Sequence, residues 1–292
     1  MHILKEFSPD KAVVIYGPTA SGKSELALRI AETQGGVILN ADASQVFENW
    51  RVLTARPSEE DLQRAPHALY GHLHFNAEYS VGAWLREVET YLQGEQRPII
   101  VGGTGLYLTA LTEGLAQIPP TPPEIRTEAD VLRQSDQLEL MIQALDTGTR
   151  AKIDLANPMR VQRAWEVLRS TGRGLAQWQS DTPAPLVAGN QAHMIHVVSD
   201  KDWLLHRIEQ RFDAMLRDGA VEEAEANLAQ WDPSLLSMKA IGAAEVIAYV
   251  KGEMTKEQAR STANISTRQF AKRQRTWGRA RMTHWSTWCP HD

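Results

Sequence analysis

The sequence predicts an α/β fold in which a parallel sheet is covered by helices and broken by an all-helical insert. Three observations carry that expectation. The octapeptide GPTASGKS (17 to 24) lies between the apolar run AVVIY (12 to 16) and the helix-patterned ELALRIAE. Two further β-branched runs, GVILN (36 to 40) and PIIVGG (98 to 103), are separated by helix-patterned segments, the alternation expected of parallel strands joined by helices. After Gly114 the character changes: four prolines in five residues (119 to 123) open a charged, strandless stretch that runs to about Gln179. The expected architecture is therefore a P-loop NTPase-like core with a helical subdomain inserted into it.

The element order follows. Residues 1–115 form the first part of the core, 116–182 the helical insertion, and 183–292 the second part of the core with basic C-terminal helices. AHMIHVV (192 to 198) is the expected return strand. From Asp202 the apolar residues Leu204, Leu205, Ile208, Phe212, Met215 and Leu216 recur at helical period, with Gly219 as the stop.

Composition narrows the class. A chain of 292 residues with 42% apolar content can bury a real core. The first residues do not follow the pattern of a secretory signal, no run approaches the length of a membrane span, and the single Cys289 cannot form an internal disulfide. A cytoplasmic monomer without membrane contact is the expectation. The net charge of −5 hides an asymmetry: from Gln258 to His291 there are seven Lys or Arg and no Asp or Glu. A polyanion meets such a local field, whatever the total charge. Trp277, Trp285 and Trp288 lie in or just after the segment, so docking on the core is the other reading of it.

The chemistry starts at Gly17, Pro18, Thr19, Ala20, Ser21, Gly22, Lys23 and Ser24. Gly17 and Gly22 permit backbone conformations that turn successive N–H groups into one concavity. Lys23 adds a mobile cation, Ser24 a hydroxyl able to ligate Mg²⁺, and the following helix directs its positive end at the anion. The motif specifies a polyphosphate and leaves the reaction open. Asp42 and Gln45 follow the second strand at the open end of the sheet, where ligands bind in such folds. On spacing alone Asp42 could hold Mg²⁺, position water, or accept a proton from an attacking group. The glycine turn after the third strand would present Thr104 to the same cleft.

The segments GPTASGKS, DASQVF, TARPS, YSVGAW, PIIVGGTGLYLTAL, PPEIR, NPMRVQRAWEVLRSTGRGL, RIEQRFDAML and TRQFAKRQRTW occur in the order and approximate spacing of the tRNA dimethylallyltransferases, a family that the chain resembles from about Ala12 to Trp277. GGTGLY together with AKRQRTW discriminates far better than the phosphate loop. The resemblance implies transfer of a five-carbon prenyl group from dimethylallyl diphosphate to the exocyclic amine of the adenosine immediately 3′ of the anticodon. It implies that Gly17 to Ser24 bind the donor's diphosphate with Mg²⁺ on Ser24, that Asp42 is the general base, and that Gln45 hydrogen-bonds the adenine. Thr104 and Arg211, the latter favoured over Arg207, complete the implied catalytic set. The implied tRNA contacts are Asp42, Ala43, Ser44, Gln45 and Thr104 around the target nucleotide, Arg126 and Met159, Arg160, Val161, Gln162 and Arg163 in the insert, and Lys272, Arg273 and Arg275 in the basic segment. The implied partner is the anticodon stem-loop, whose loop bases can be splayed out and brought to a cleft.

The chain departs from the family pattern at Ala43, where Ser is usual, at Phe47 and Glu48, and at Ala243 and Ala244 after Ile241 and Gly242; the insert is also shorter than expected. A small-molecule kinase would share the loop and the Asp but not the basic segment or GGTGLY. An adenylate prenyltransferase would use the same donor, yet a free nucleotide needs neither the insert nor the basic segment. An RNA-binding nucleotide switch would not need Asp42 and Gln45 beside the loop.

Overall fold

The structure is a computed structural model that describes residues 7–290. Its six strands are β1 (Ala12–Tyr16), β2 (Val37–Asn40), β3 (His67–Ala68), β4 (Pro98–Gly102), β5 (Ala192–Val197) and β6 (Ser286–Trp288). They form one parallel sheet in the order β3-β2-β4-β1-β5-β6. The helices are α1 (Lys23–Gln34), α2 (Glu59–Arg64), α3 (Val81–Leu92), α4 (Gly105–Glu113), α5 (Pro123–Gln134), α6 (Leu138–Ala144), α7 (Thr147–Lys152), α8 (Pro158–Thr171), α9 (Leu175–Ser180), α10 (Lys201–Arg217), α11 (Ala220–Asn227), α12 (Ala243–Val250) and α13 (Lys256–Arg281).

The central strands β1, β2, β4 and β5 are almost wholly buried, which is why they appear in the sequence as continuous apolar runs and not as alternating ones. Val13, Ile15, Ile38, Ile99 and Val197 pack with Leu26 and Ile30 of α1. A second cluster gathers Trp50, Phe212, Met215, Val246 and Ile247 where α10, α11, α12 and α13 meet. Two edge strands are additional to those expected from sequence. β3 has two residues and β6 three, so neither shows a period. β6 lies beside β5, and Trp288 packs against the sheet core while Trp285 is buried, so the C-terminal tryptophans do dock on the core.

The chain divides into two compact units, Glu113–Leu186 and the remainder. The insert thus starts three residues before, and ends four residues after, the expected 116–182. It is all helical and has its own core of Ala129, Met141, Leu145, Val161, Ala164 and Trp165. Pro123 and Pro158 stand at helix starts, where the missing N–H costs nothing, and Gly172 ends α8 in the left-handed region (φ 68°). Among the described residues no helix is long and apolar enough to cross a membrane.

The topology sets up the site. β1 runs into the phosphate loop, β2 into Asp42, β4 into Thr104 and β5 into α10, so all four segments emerge at the carboxyl ends of parallel strands, where such sheets bind ligands.

Candidate active site

The phosphate loop is left-handed at Ala20 (φ 62°) and at Gly22 (φ 86°). Glycine tolerates this conformation; alanine is strained by it, and such strain persists where surrounding contacts hold the loop. Here they do. Arg207 on α10 donates to the Ala20 carbonyl (3.1 Å) while its guanidinium lies 4.8 Å from the Trp203 ring centre. The Thr19 N–H donates to Oε1 of Gln274 on α13 (2.8 Å). Gly22 gives α1 no side-chain cap, so the first N–H groups of that helix are left for a ligand.

Lys23 is half-buried, and burial brings its ammonium down to about 8, with nearby Asp42 holding it up and nearby Arg211 pushing it further down. It is therefore cationic at neutral pH but titrates within reach of assay. Above pH 8 the free enzyme loses this charge, and the KM for an anionic donor is expected to rise by up to about tenfold per pH unit. Lys23→Arg, whose charge does not titrate, should flatten that rise; steady-state kinetics from pH 6.5 to 9.5 check it.

The β2 segment is fixed by Asn40, itself fully buried. Its Oδ1 accepts from the Asp42 N–H (2.8 Å), its Nδ2 donates to the carbonyls of Asp42 and Leu69 (3.0 Å each), and its own carbonyl accepts from the Trp84 indole (2.7 Å). One carboxylate oxygen of Asp42, Oδ1, then accepts from the N–H (3.0 Å) and hydroxyl (2.7 Å) of Ser44. Among the described residues nothing hydrogen-bonds Oδ2. Thr104 Oγ1 accepts from the Ala43 N–H (2.9 Å) and the Thr104 N–H donates to the Ala41 carbonyl (3.2 Å), so the glycine turn after β4 is sewn to the Asp42 segment. The Ala43 contact uses backbone only, and the loss of a serine there leaves it intact.

Thr19, Asp42, Ala43, Ser44, Thr104 and Arg211 all line one cavity of about 520 Å³. The rest of its wall is largely apolar, including Phe47, Leu53, Ile208, Phe212, Met215 and Phe270. The cavity thus combines cationic and hydrogen-bonding groups, a carboxylate and apolar surface. Arg211 is half-buried; desolvation lowers the guanidinium's pKa, partly offset by Asp42.

Three of the expected contacts need correction. Gln45 is absent from this wall: its Nε2 donates to the carbonyls of Thr54 (2.8 Å) and Ala55 (2.9 Å), so it holds a turn instead of facing a base. In the insert, Val161 is fully buried and Gln162 is 4% exposed, bonded to Asp130, Arg133 and Glu166. Helical period turns these two inward, whereas Arg160 and Met159 (61% exposed) face outward. Arg126 is exposed, and Arg163 is half-exposed and bonded to Thr121 (2.7 Å).

The basic segment is one long helix, α13, and its charges divide. Arg260 pairs with Asp213 (Nη2 to Oδ2 2.8 Å) and Arg268 with Glu209, both on α10. Lys272 and Arg273 are exposed and Arg275 is half-exposed; Arg273 also reaches the cavity wall. Ser24 is exposed at the start of α1 and opens on a second, small recess with Gln45, Arg56 and Tyr70. The Ser24 hydroxyl is a hard oxygen donor of the kind Mg²⁺ takes. Mg²⁺ usually needs only one or two protein oxygens, the substrate phosphates and water supplying the rest, and the residues present fit it. Among the described residues no group of three or more His, Cys, Asp or Glu gathers into a metal cluster.

The model of the IPP transferase family matches residues 45–281, most of the chain, and a model described as isopentenyl transferase matches residues 10–71. The tRNA dimethylallyltransferase of a Ruegeria species is 58% identical over 281 residues, covering 96% of each chain. The chain belongs to the tRNA dimethylallyltransferase family. The relative from Roseobacter denitrificans, of the same name, is also 58% identical over 97% of this chain and 100% of its own. Among solved structures, the full-length tRNA isopentenylpyrophosphate transferase of Bacillus halodurans superposes with a TM-score of 0.68 at 27% identity, covering 96% of this chain and 90% of that one. For a member of this family, a prenyltransferase, a cavity that joins Thr19, Asp42 and Arg211 to a largely apolar wall offers surface for both an anion and a hydrocarbon.

Proposed function

We propose that the chain transfers the dimethylallyl group of dimethylallyl diphosphate to the exocyclic amine of the adenosine immediately 3′ of the anticodon in tRNA, and that it binds the anticodon stem-loop as a monomer. The observation that carries this reading is the single cavity in which Thr19 of the phosphate loop, Asp42, Thr104 and Arg211 share a wall with apolar side chains. In the reaction the amine nitrogen attacks the first prenyl carbon, the carbon–oxygen bond breaks with its electron pair leaving on diphosphate, and the amine proton passes to Asp42 Oδ2. Ser44 holds the other oxygen and so aims the carboxylate. The loop N–H groups, Lys23 and Arg211 meet the charge that develops on the leaving group. Mg²⁺ held by Ser24, when bound, supplies further neutralisation of that diphosphate. Because the allylic carbon stabilises positive charge, positioning does most of the protein's work.

The deciding assay presents labelled dimethylallyl diphosphate and Mg²⁺ with either an anticodon stem-loop carrying adenosine after the anticodon or free AMP. Label on the RNA alone is the expected result; label on AMP alone overturns the reading. Gel filtration of the purified chain checks the monomer. Neutralising Lys272, Arg273 and Arg275 together should weaken RNA binding and reduce the slope of log K against log salt by about 0.7 for each phosphate that is no longer neutralised. Neutralising Arg260 and Arg268, already paired with acids, should leave the slope unchanged. Equal slopes for the two variants would mean that the helix meets RNA some other way.

A further inference from the structure

We propose that Gln274 is a positioning residue that fixes the phosphate loop and the Thr104 turn at one spacing, so that the helix bearing the RNA-facing cations also sets the geometry of prenyl transfer. The inference rests on the functional reading above. Its basis is a single buried carboxamide. Gln274 is 4% exposed; its Oε1 accepts from the Thr19 N–H (2.8 Å), its Nε2 donates to the Gly103 carbonyl (2.9 Å), and its own backbone carbonyl accepts from the Tyr16 hydroxyl at the end of β1 (2.7 Å).

Both loops belong to the same cavity. Thr19 lines it directly, and Gly103 precedes Thr104, whose Oγ1 takes the Ala43 N–H next to Asp42. A chain of bonds therefore runs from the diphosphate end, through Gln274, to the segment carrying the proton acceptor. The glycines opposite α13 make room for it. A Cβ at Gly103 would lie 2.2 Å from Gln274 Nε2, and one at Gly105 would lie 2.3 Å from Trp277 Nε1. Gly278, one turn beyond Gln274, lets the helix close on β1 and β5: a Cβ there would lie 2.4 Å from His196 Nε2 and 2.9 Å from Tyr16 Cε1. Around it, Lys272, Arg273 and Arg275 carry the charge that meets RNA. A misplacement of about 1 Å between reacting groups can cost on the order of 10²-fold in rate, so the spacing of these two loops is a quantity the enzyme has to hold.

Gln274→Met keeps the length of the side chain and removes both bonds. Gly103→Ala displaces the carboxamide from the other side with Gln274 itself in place, and serves if the first variant folds poorly. Steady-state transfer to the stem-loop, direct RNA binding and thermal melting are measured on the wild type, both single variants and the double. Each single variant is expected to lose on the order of 10²-fold in kcat/KM for the prenyl donor, with RNA affinity within about twofold of wild type. The double should be no worse than the poorer single, since both act through one contact. Three results would each overturn the proposal: full activity in the single variants, a loss that appears wholly in RNA affinity or in the folded fraction, or losses that multiply in the double. A wild-type chain that fails to label the stem-loop would instead overturn the functional reading on which it rests.

Discussion

Asp42→Asn is expected to lower kcat by roughly 10² to 10⁴, the usual worth of a positioned general base, while the affinity for dimethylallyl diphosphate changes little. The substitution is nearly isosteric, and the hold on the site does not depend on the carboxylate's charge. Asn40 fixes the Asp42 backbone through N–H and carbonyl alike, and the two donors of Ser44 meet a single oxygen that an amide can also offer. What is lost is the acceptor at Oδ2, since an amide placed there donates where a base must accept. Removing the anionic charge relieves repulsion of an anionic donor but also takes from Lys23 and Arg211 the carboxylate that favours their charged forms, so the two effects on donor binding oppose each other. Single-turnover transfer and equilibrium donor binding on the same preparation separate the two effects. Turnover above about a tenth of wild type would remove Asp42 as the base.

How much of this is legible in the sequence depends on whether a residue's neighbours are near it along the chain. The phosphate loop is local: glycine spacing, a preceding β-branched run and a following helix fix it, and the structure agrees. Asp42 and Thr104 are placed by one rule about strand ends, which needs only the order of the strands. Residues whose role depends on side-chain direction are less legible. Gln45 is placed at the cleft by the same strand-end rule and by family resemblance, Val161 and Gln162 by resemblance alone, and both sources match positions but not orientations; one holds a turn and two are inside the insert. The basic segment shows the same limit. Its seven cations stand without an acid along the chain, yet Asp213 and Glu209, more than forty residues earlier, neutralise two of them. Asn40 and Gln274 are invisible to sequence reasoning because a buried amide is defined by distant backbone groups that no local pattern announces. A signal for α13 does exist in the small residues Ala259, Ala263, Ala271 and Gly278, which line its inner face and mark a helix that packs closely.

Two arginines of α10 stand four residues apart with different tasks, and Arg211→Gln should show the difference. The expected loss is about 10² to 10³ in kcat, the range found when one preorganised donor to developing negative charge is removed. Arg211 lines the cavity beside Asp42, and its guanidinium stays charged at neutral pH despite burial, so its charge acts at short range in a setting poorer in water than the surface. Arg207 is spent elsewhere, on the Ala20 carbonyl and the Trp203 ring. Arg207→Gln should therefore act on loop geometry, raising KM for the donor more than it lowers kcat. Arg211→Lys tests the fork against the charge: a point charge that restores most of the rate means that field alone matters, whereas a loss near that of Gln means that the two N–H arms must meet the diphosphate oxygens together. RNA affinity should stay at the wild-type value in all three variants, because neither arginine is on α13, the helix proposed to meet the polyanion. A drop in RNA binding for Arg211→Gln without a fall in single-turnover rate would move this residue from the leaving group to the acceptor side of the cavity.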